Sequence, residues 1–240
     1  MNNETNEITE QLEVFGFTSA KEIICQTLQK NMLTQDYTCF DEPNIPSGFT
    51  SLDKLTRGFK RGELMTIAVK PGNGKTAFLI SLLHNMAIHF NRNVAVFSPE
   101  RSAEKLVSRL IESETGLSVS KIANGALNDK SREQVNEIIR KVARAGIYID
   151  DSKTLDARDV LLRCHQVKNE YHADIILMDD IESYVAHIGD QEIKKQELED
   201  MVSTLSNVAR ELNIPIICFN PYQSIPAEPQ SDYMPTMNEL

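Results

Sequence analysis

The sequence predicts an α/β protein: a mostly parallel sheet with helices on both faces, preceded by a short helical arm. Three observations carry this. Short apolar segments recur along the chain, and none shows the polar alternation of a sheet with one wet face. Stretches of helical periodicity separate each from the next. Polar residues follow the apolar segments directly, at the Gly-rich loop, Glu100, Asp150, Asp179 and Asn220, where ligands sit in sheets of this kind.

Residues 1–43 read as a helical arm or linker and residues 44–240 as the main domain. In the arm, Ser19-Ala-Lys-Glu22 is a capping-box pattern, and Ala20, Ile23, Ile24, Thr27, Leu28 and Met32 follow it on one helical face. A helix is therefore expected over Ala20–Leu33, with a weaker one near Ile8–Val14. Pro43 to Gly48 has turn composition. A short helical turn over Phe49–Leu55 and a turn at Gly58–Glu63 lead into Leu64–Val69, read as a buried strand. Ala77–Phe90 is an apolar helix, and Val94–Ser98 the second strand. Ser102 opens a helix whose Leu106, Leu110 and Ile111 share a face, and Ser118–Ala123 and Ser131–Ala143 are helical. The third strand, Ile147–Ile149, ends in Asp150-Asp151. After a helix over Ala157–Tyr171, the fourth strand, Ile175–Asp179, is apolar until its closing acid. A long helix, Gln191–Leu212, precedes the fifth strand, Ile214–Phe219, and Asn220–Leu240 reads as irregular.

Composition narrows the class. Hydrophobic residues at 41% and charged residues at 25% are those of a globular protein. The sequence contains neither a bilayer-length apolar run nor a signal peptide, so no membrane partner is expected and the cytoplasm is the expected compartment. Cys25, Cys39, Cys164 and Cys218 are scattered and form no Cys-x-x-Cys pair, so free thiols are expected. The histidines likewise form no metal set. A net charge of −10 argues against a general polyanion-binding surface.

Most of the chemistry resides in Lys70-Pro71-Gly72-Asn73-Gly74-Lys75-Thr76, a loop between a strand and a helix. That context distinguishes a phosphate-binding loop from a chance Gly-Pro turn. Small residues let backbone N–H groups converge on phosphate oxygens, and the helix start through Ala77 adds unpaired N–H groups and a positive dipole end. Lys75 would reach the terminal phosphates of ATP, and the Thr76 hydroxyl would hold Mg²⁺. Val69 stands where the pattern usually begins with Gly. Asp179, after four apolar residues, can hold the metal through water opposite Thr76. Asp180 is adjacent, and side chains next to each other on a strand end point differently, so only one need face the metal. Read alone, Glu100 is either a helix-start residue or a base for the attacking water, with Arg101 as its solvent-side neighbour.

Together these residues resemble the C-terminal motor of DnaB-type replicative helicases, a RecA-like P-loop ATPase. The likeness covers Ile45 to Leu240. Ile45-Pro-Ser-Gly-Phe-Thr-Ser-Leu-Asp-Lys-Leu-Thr resembles that family's opening segment, and Lys70 to Thr76 its phosphate loop. Phe97-Ser-Pro-Glu100 resembles its strand-end motif with the catalytic Glu, Ile147-Tyr-Ile-Asp-Asp its third strand, and Ile175-Ile-Leu-Met-Asp179 its Mg²⁺ strand. Ala209-Arg-Glu-Leu-Asn-Ile-Pro-Ile-Ile resembles the approach to its fifth strand. The resemblance implies ATP and Mg²⁺ as cofactors, with Lys75, Glu100 and Asp179 catalytic. Lys70, Pro71, Gly72, Asn73, Gly74, Lys75, Thr76 and Ala77 would line the nucleotide, with Thr76 and Asp179 on the metal. It also implies single-stranded DNA as a partner and self-association into a hexameric ring, the Ala20–Leu33 helix docking on the next subunit.

The departures are specific. Pro221 stands where the family has a Gln that senses the γ-phosphate, and Pro can donate no hydrogen bond. No Lys or Arg follows Arg210, where the family has a basic DNA-contacting loop, so the electrostatic share of DNA affinity is expected to be weak. Asp180 replaces a usual Tyr, and Glu182 a usual Gln. Met234–Leu240 resembles the start of a further segment, and the strands bearing an arginine finger are expected to be missing. Three readings follow. The first is an ATP-hydrolysing motor domain of a DNA replication helicase, with weak or no unwinding as this chain alone. The second is an impaired nucleotide-binding paralogue that binds or regulates a helicase or its loader. The third is a RecA/RadA-like recombination ATPase.

Overall fold

The computed structural model describes residues 44–70, 72–123 and 129–221. The expected arm helices at residues 8–14 and 20–33, Pro71 and the stretch beyond residue 221 lie outside them. In chain order the elements are α1 (Thr50–Thr56), β1 (Leu64–Val69), α2 (Lys75–Leu83) continued by a π-helical segment (His84–His89), β2 (Val94–Phe97), α3 (Ala103–Thr115), α4 (Val119–Ala123), α5 (Asp129–Arg144), β3 (Ile147–Asp150), α6 (Ala157–Tyr171), β4 (Ile175–Asp179), a 3₁₀ turn (Ile181–Ser183), α7 (Gln191–Leu212) and β5 (Ile216–Pro221).

The five strands form one parallel sheet in the order β1-β5-β4-β2-β3. Successive side chains of a strand leave on opposite faces, which divides the core in two. Val94, Val96, Ile175, Leu177, Ile217 and Phe219 face α2, the π segment, α3 and α5. Ala95, Phe97, Ile176, Met178, Ile216 and Cys218 face α6 and α7. The central strands β2 and β4 are buried on both faces, which explains their apolar sequences. The predicted fold class is the observed one.

The differences are local. The buried strand expected at Leu64–Val69 is half-buried, with Thr66 and Ala68 exposed, because β1 ends the described sheet and has only β5 beside it. The single helix expected over Ala77–Phe90 begins at Lys75 and widens to π geometry at His84. There Asn85 Nδ2 donates to the Ser47 carbonyl at 2.9 Å and His84 Nε2 lies 2.6 Å from Glu114 Oε1. Apolar spacing alone carries no sign of these polar contacts. The fifth strand starts two residues later than expected and continues through Asn220 and Pro221, which pair in register with Ala68 and Val69. A strand end tolerates the missing Pro N–H.

Helix starts follow their caps. Asp156 and Asp159 form a reciprocal capping box on α6, and Asp190 accepts from two backbone N–H groups of α7. Ser102 caps α3, and Asp151 Oδ2 accepts from Ala103 N at 3.0 Å. Asp151 is thereby accounted for as a structural residue. Cys164 and Cys218 are buried free thiols, and burial pushes each up to about 12.

Candidate functional site

The carboxyl ends of β1, β5, β4 and β2 converge on one polar cluster. Strand order places β5 between β1 and β4, so the phosphate loop and the acid closing β4 stand two strand spacings apart, roughly 10 Å. The side chains of Lys75 and Asp179 together close that gap.

The loop is built by backbone conformation. Gly72 and Gly74 take φ of 82° and 86°, and a Cβ would meet nothing closer than 4.0 Å at either, so their glycines answer to torsion and not to crowding. Asn73 N donates to the Lys70 carbonyl at 3.0 Å, closing the turn. Gly74 is the N-cap of α2 and supplies no side-chain acceptor. The first N–H groups of the helix are therefore available to an anion. Lys70, Gly72, Asn73, Gly74 and Ala77 are exposed, whereas Thr76 is buried at the foot of the loop.

Lys75 joins the strand ends. Its Nζ lies 3.4 Å from Asp179 Oδ1, 3.4 Å from Glu100 Oε2 and 3.3 Å from Asp180 Oδ2. Burial disfavours charge on this lysine, but Asp179, Asp180 and Glu100 more than offset it and hold its pKa above the ordinary lysine value. Asp179 is fully buried, and burial raises its carboxyl above the ordinary range. Lys75 opposes that rise and Glu100 adds to it. Asp179 Oδ2 accepts from Ser98 Oγ at 3.3 Å, whereas Oδ1 accepts no aligned hydrogen bond although it is sealed from water. A buried carboxylate oxygen with one ion-pair contact has spare coordinating capacity. That oxygen and the Thr76 hydroxyl are hard-oxygen donors of the kind Mg²⁺ takes.

Of the residues singled out in the sequence, Lys75, Glu100 and Asp179 come together here, with Thr76 following Lys75. Three placements were not foreseen. Arg101 points inward, its Nε 3.9 Å from Asp179 Oδ2, and does not sit on the solvent side of Glu100. Ser183 donates to Glu100 Oε1 at 3.3 Å. Asp180 also faces Lys75, because its φ of 77° turns the chain as it leaves β4. Regular strand geometry would have sent the two acids apart, and nothing in Asp-Asp announces the turn. Asn220, named as a strand-end polar residue, is buried with an unpartnered Oδ1. Pro221 pairs with Val69, directly beside the phosphate loop.

A cleft of about 600 Å³ between the π segment and α5, lined by Ala87, Glu137, Arg140 and Arg144 among others, holds none of these residues. The strand-end cluster, with its shifted carboxyl and orphaned oxygens, is the stronger site.

A parallel sheet with a Gly-Lys-Thr loop closing β1, an acid closing β4 and β5 between them is a RecA-like fold. The family model described as the DnaB-like helicase C terminal domain matches residues 44–240, and the chain belongs to that family. It is 30% identical over 234 residues to the replicative DNA helicase DnaB of Geobacillus stearothermophilus, covering 98% of this chain and 51% of that protein. The replicative DNA helicase DnaC of Bacillus subtilis is 29% identical over the same length and coverage. The chain thus spans about half the length of the curated relatives it matches. A solved DnaB-like replicative helicase, described with its interactions with primase, superposes with a TM-score of 0.71 at 22% identity, over 97% of this chain and 56% of that one. A solved ATPase domain gives 0.72 at 23% identity, over 93% and 78%. Among the described residues no helix is long and apolar enough to cross a membrane.

Proposed function

We propose that residues 44–240 are an ATP-binding and ATP-hydrolysing motor domain of a cytoplasmic DNA replication helicase, with residues 1–43 as a separate helical arm. The observation that carries this is the convergence of Lys75, Glu100 and Asp179 from three strand ends onto one point beside the phosphate loop. Backbone N–H groups of residues 72–77 would surround the phosphates, and the Lys75 ammonium would neutralise the charge that develops on them. Thr76 and Asp179 would hold Mg²⁺, which when bound supplies charge neutralisation at the transferring phosphoryl group. Glu100 is exposed and accepts from Ser183, which would help to orient its carboxylate. It would orient the attacking water and take its proton. Arg101 faces the Asp179 oxygen that Lys75 does not. Membership of the helicase family favours this over a recombination ATPase, and makes single-stranded DNA and further copies of the chain the expected partners.

The decisive assay is ATP hydrolysis with and without single-stranded DNA, beside Glu100→Gln. Turnover is expected in the parent, stimulated by DNA and lost in the variant. A second reading, an impaired paralogue acting on a helicase or its loader, is favoured by Pro221, which puts no side-chain donor beside Val69 at the mouth of the loop. Tight nucleotide binding with no turnover in either protein would favour that reading and exclude the motor.

A further inference from the structure

Lys75 is claimed by three carboxylates, and the chemistry proposed above uses only two of them. Asp180 is the third, and three observations define it. Its carboxylate is buried, 5% exposed. Its backbone has φ 77° and ψ 96°, a conformation that is costly for a non-Gly residue and persists only where the surroundings enforce it. Its two oxygens are divided between two tasks. Oδ1 accepts from Glu182 N at 2.9 Å and caps the 3₁₀ turn, while Oδ2 takes Lys75 Nζ at 3.3 Å. The cap fixes the carboxylate, so it cannot swing from the lysine without losing the turn.

We propose that Asp180 is a tethered counter-anion competing with the nucleotide phosphates for Lys75, weakening nucleotide binding and making it depend on the divalent cation. This rests on the nucleotide-binding reading of the site. Asp180 Oδ2 takes a donor of the Lys75 ammonium, the group that a β- or γ-phosphate oxygen would also draw on. The surroundings sharpen the competition. Glu100, Asp179, Asp180 and Glu182 oppose Lys75 and Arg101, with Lys194 acting on Glu182 from α7. Burial raises the Glu182 carboxyl, and Asp180 adds to the rise, as expected where carboxylates crowd. Into such a field a metal-free triphosphate brings more negative charge than its Mg²⁺ complex, so it loses more. The adjacent acid, Asp179, does not share this role, because its Oδ1 keeps capacity beyond the lysine.

The test is a titration with a fluorescent ATP analogue, in EDTA and in Mg²⁺, of the parent chain, Asp180→Asn and Asp180→Gly. Asn keeps an oxygen for the cap and tolerates positive φ, and Gly suits the backbone without any side chain. Thermal unfolding confirms which variants are folded, and either one carries the expectation. Removing the charge should tighten metal-free binding about tenfold, and Mg²⁺-bound nucleotide by roughly threefold. Unchanged metal-free affinity in a folded variant overturns the proposal. So does weaker binding confined to Mg²⁺, which would make Asp180 a servant of the cation and not a rival of the phosphate. If neither parent nor variants bind nucleotide saturably under either condition, the nucleotide-binding reading itself fails and this inference with it.

Discussion

Asp179 closes β4 and Asp150 closes β3, and only β2 stands between them. Each follows a run of apolar residues, and each is an acid at the carboxyl edge of one sheet. Their surroundings are opposite. Asp150 accepts from Arg163 Nη1 and from Ser152 N, and Arg163 also donates to Ser152 Oγ at 2.9 Å. Burial works against its charge, but these hydrogen bonds win and hold the carboxyl below its ordinary value. Asp179 is deeper, shares its lysine with two other carboxylates, and keeps an oxygen without an aligned donor. A satisfied acid supports structure. An unsatisfied one, strained by burial, is what a site retains for a ligand.

The largest expected effect separates the two by activity. Asp179→Asn should lower steady-state ATP turnover about a thousandfold, several kcal/mol of transition-state stabilisation. Asp150→Asn should leave turnover within roughly twofold, since its partners are its own. Equal losses in both variants would erase the distinction.

Stability should then reverse the order. Urea unfolding at neutral pH should show Asp150→Ala less stable by about 1 kcal/mol, a figure discounted because Arg163 is 37% exposed. Asp179→Asn should be more stable than the parent by about 1 kcal/mol, as relief of an ill-satisfied site residue.

The pH dependence sharpens this. The folded carboxyl of Asp150 titrates below 3.8, so its stabilising share is present above that pH and is lost as pH falls through the folded value. The folded carboxyl of Asp179 titrates above 3.8, so its cost is absent below that pH and grows as pH rises through the folded value. The advantage of Asp179→Asn should therefore shrink as pH is lowered toward 3.8. An advantage constant over that window would contradict the assigned protonation.

The smallest effect concerns Tyr184. Its hydroxyl is buried without a partner, and burial raises its pKa. Tyr184→Phe should leave thermal stability unchanged or improve it by roughly 0.5–1 kcal/mol. A clear loss would mean that the hydroxyl has a partner in solution.

The fold was legible because the strands are short, mainly apolar runs and stretches of helical periodicity separate them, as with α6 and α7. The loop's place between a strand and a helix was legible from the apolar run before it and the helical periodicity after it. Lys75, Glu100 and Asp179 were foreseen individually, each at its own strand end. Their meeting depends on β5 inserting between β1 and β4, and strand order is not written in any local pattern. Nothing local marked the inward direction of Arg101, and that of Asp180 was missed for one physical reason. Side-chain direction at a strand end is set by one torsion angle, and the φ of 77° at Asp180 breaks the alternation that sequence reasoning assumes. The π segment at His84–His89 was hidden because its apolar spacing is that of an α-helix, while the polar partners of His84 and Asn85, Glu114 and Ser47, lie far along the chain.

The most direct test is a crystal structure with a non-hydrolysable ATP analogue and Mg²⁺. The account predicts the triphosphate on the N–H groups of residues 72–77, the metal between Thr76 and Asp179, and Lys75 Nζ turned from Asp180 onto a phosphate oxygen. Nucleotide bound elsewhere, or phosphates in the loop with Lys75 still on Asp180, would contradict it.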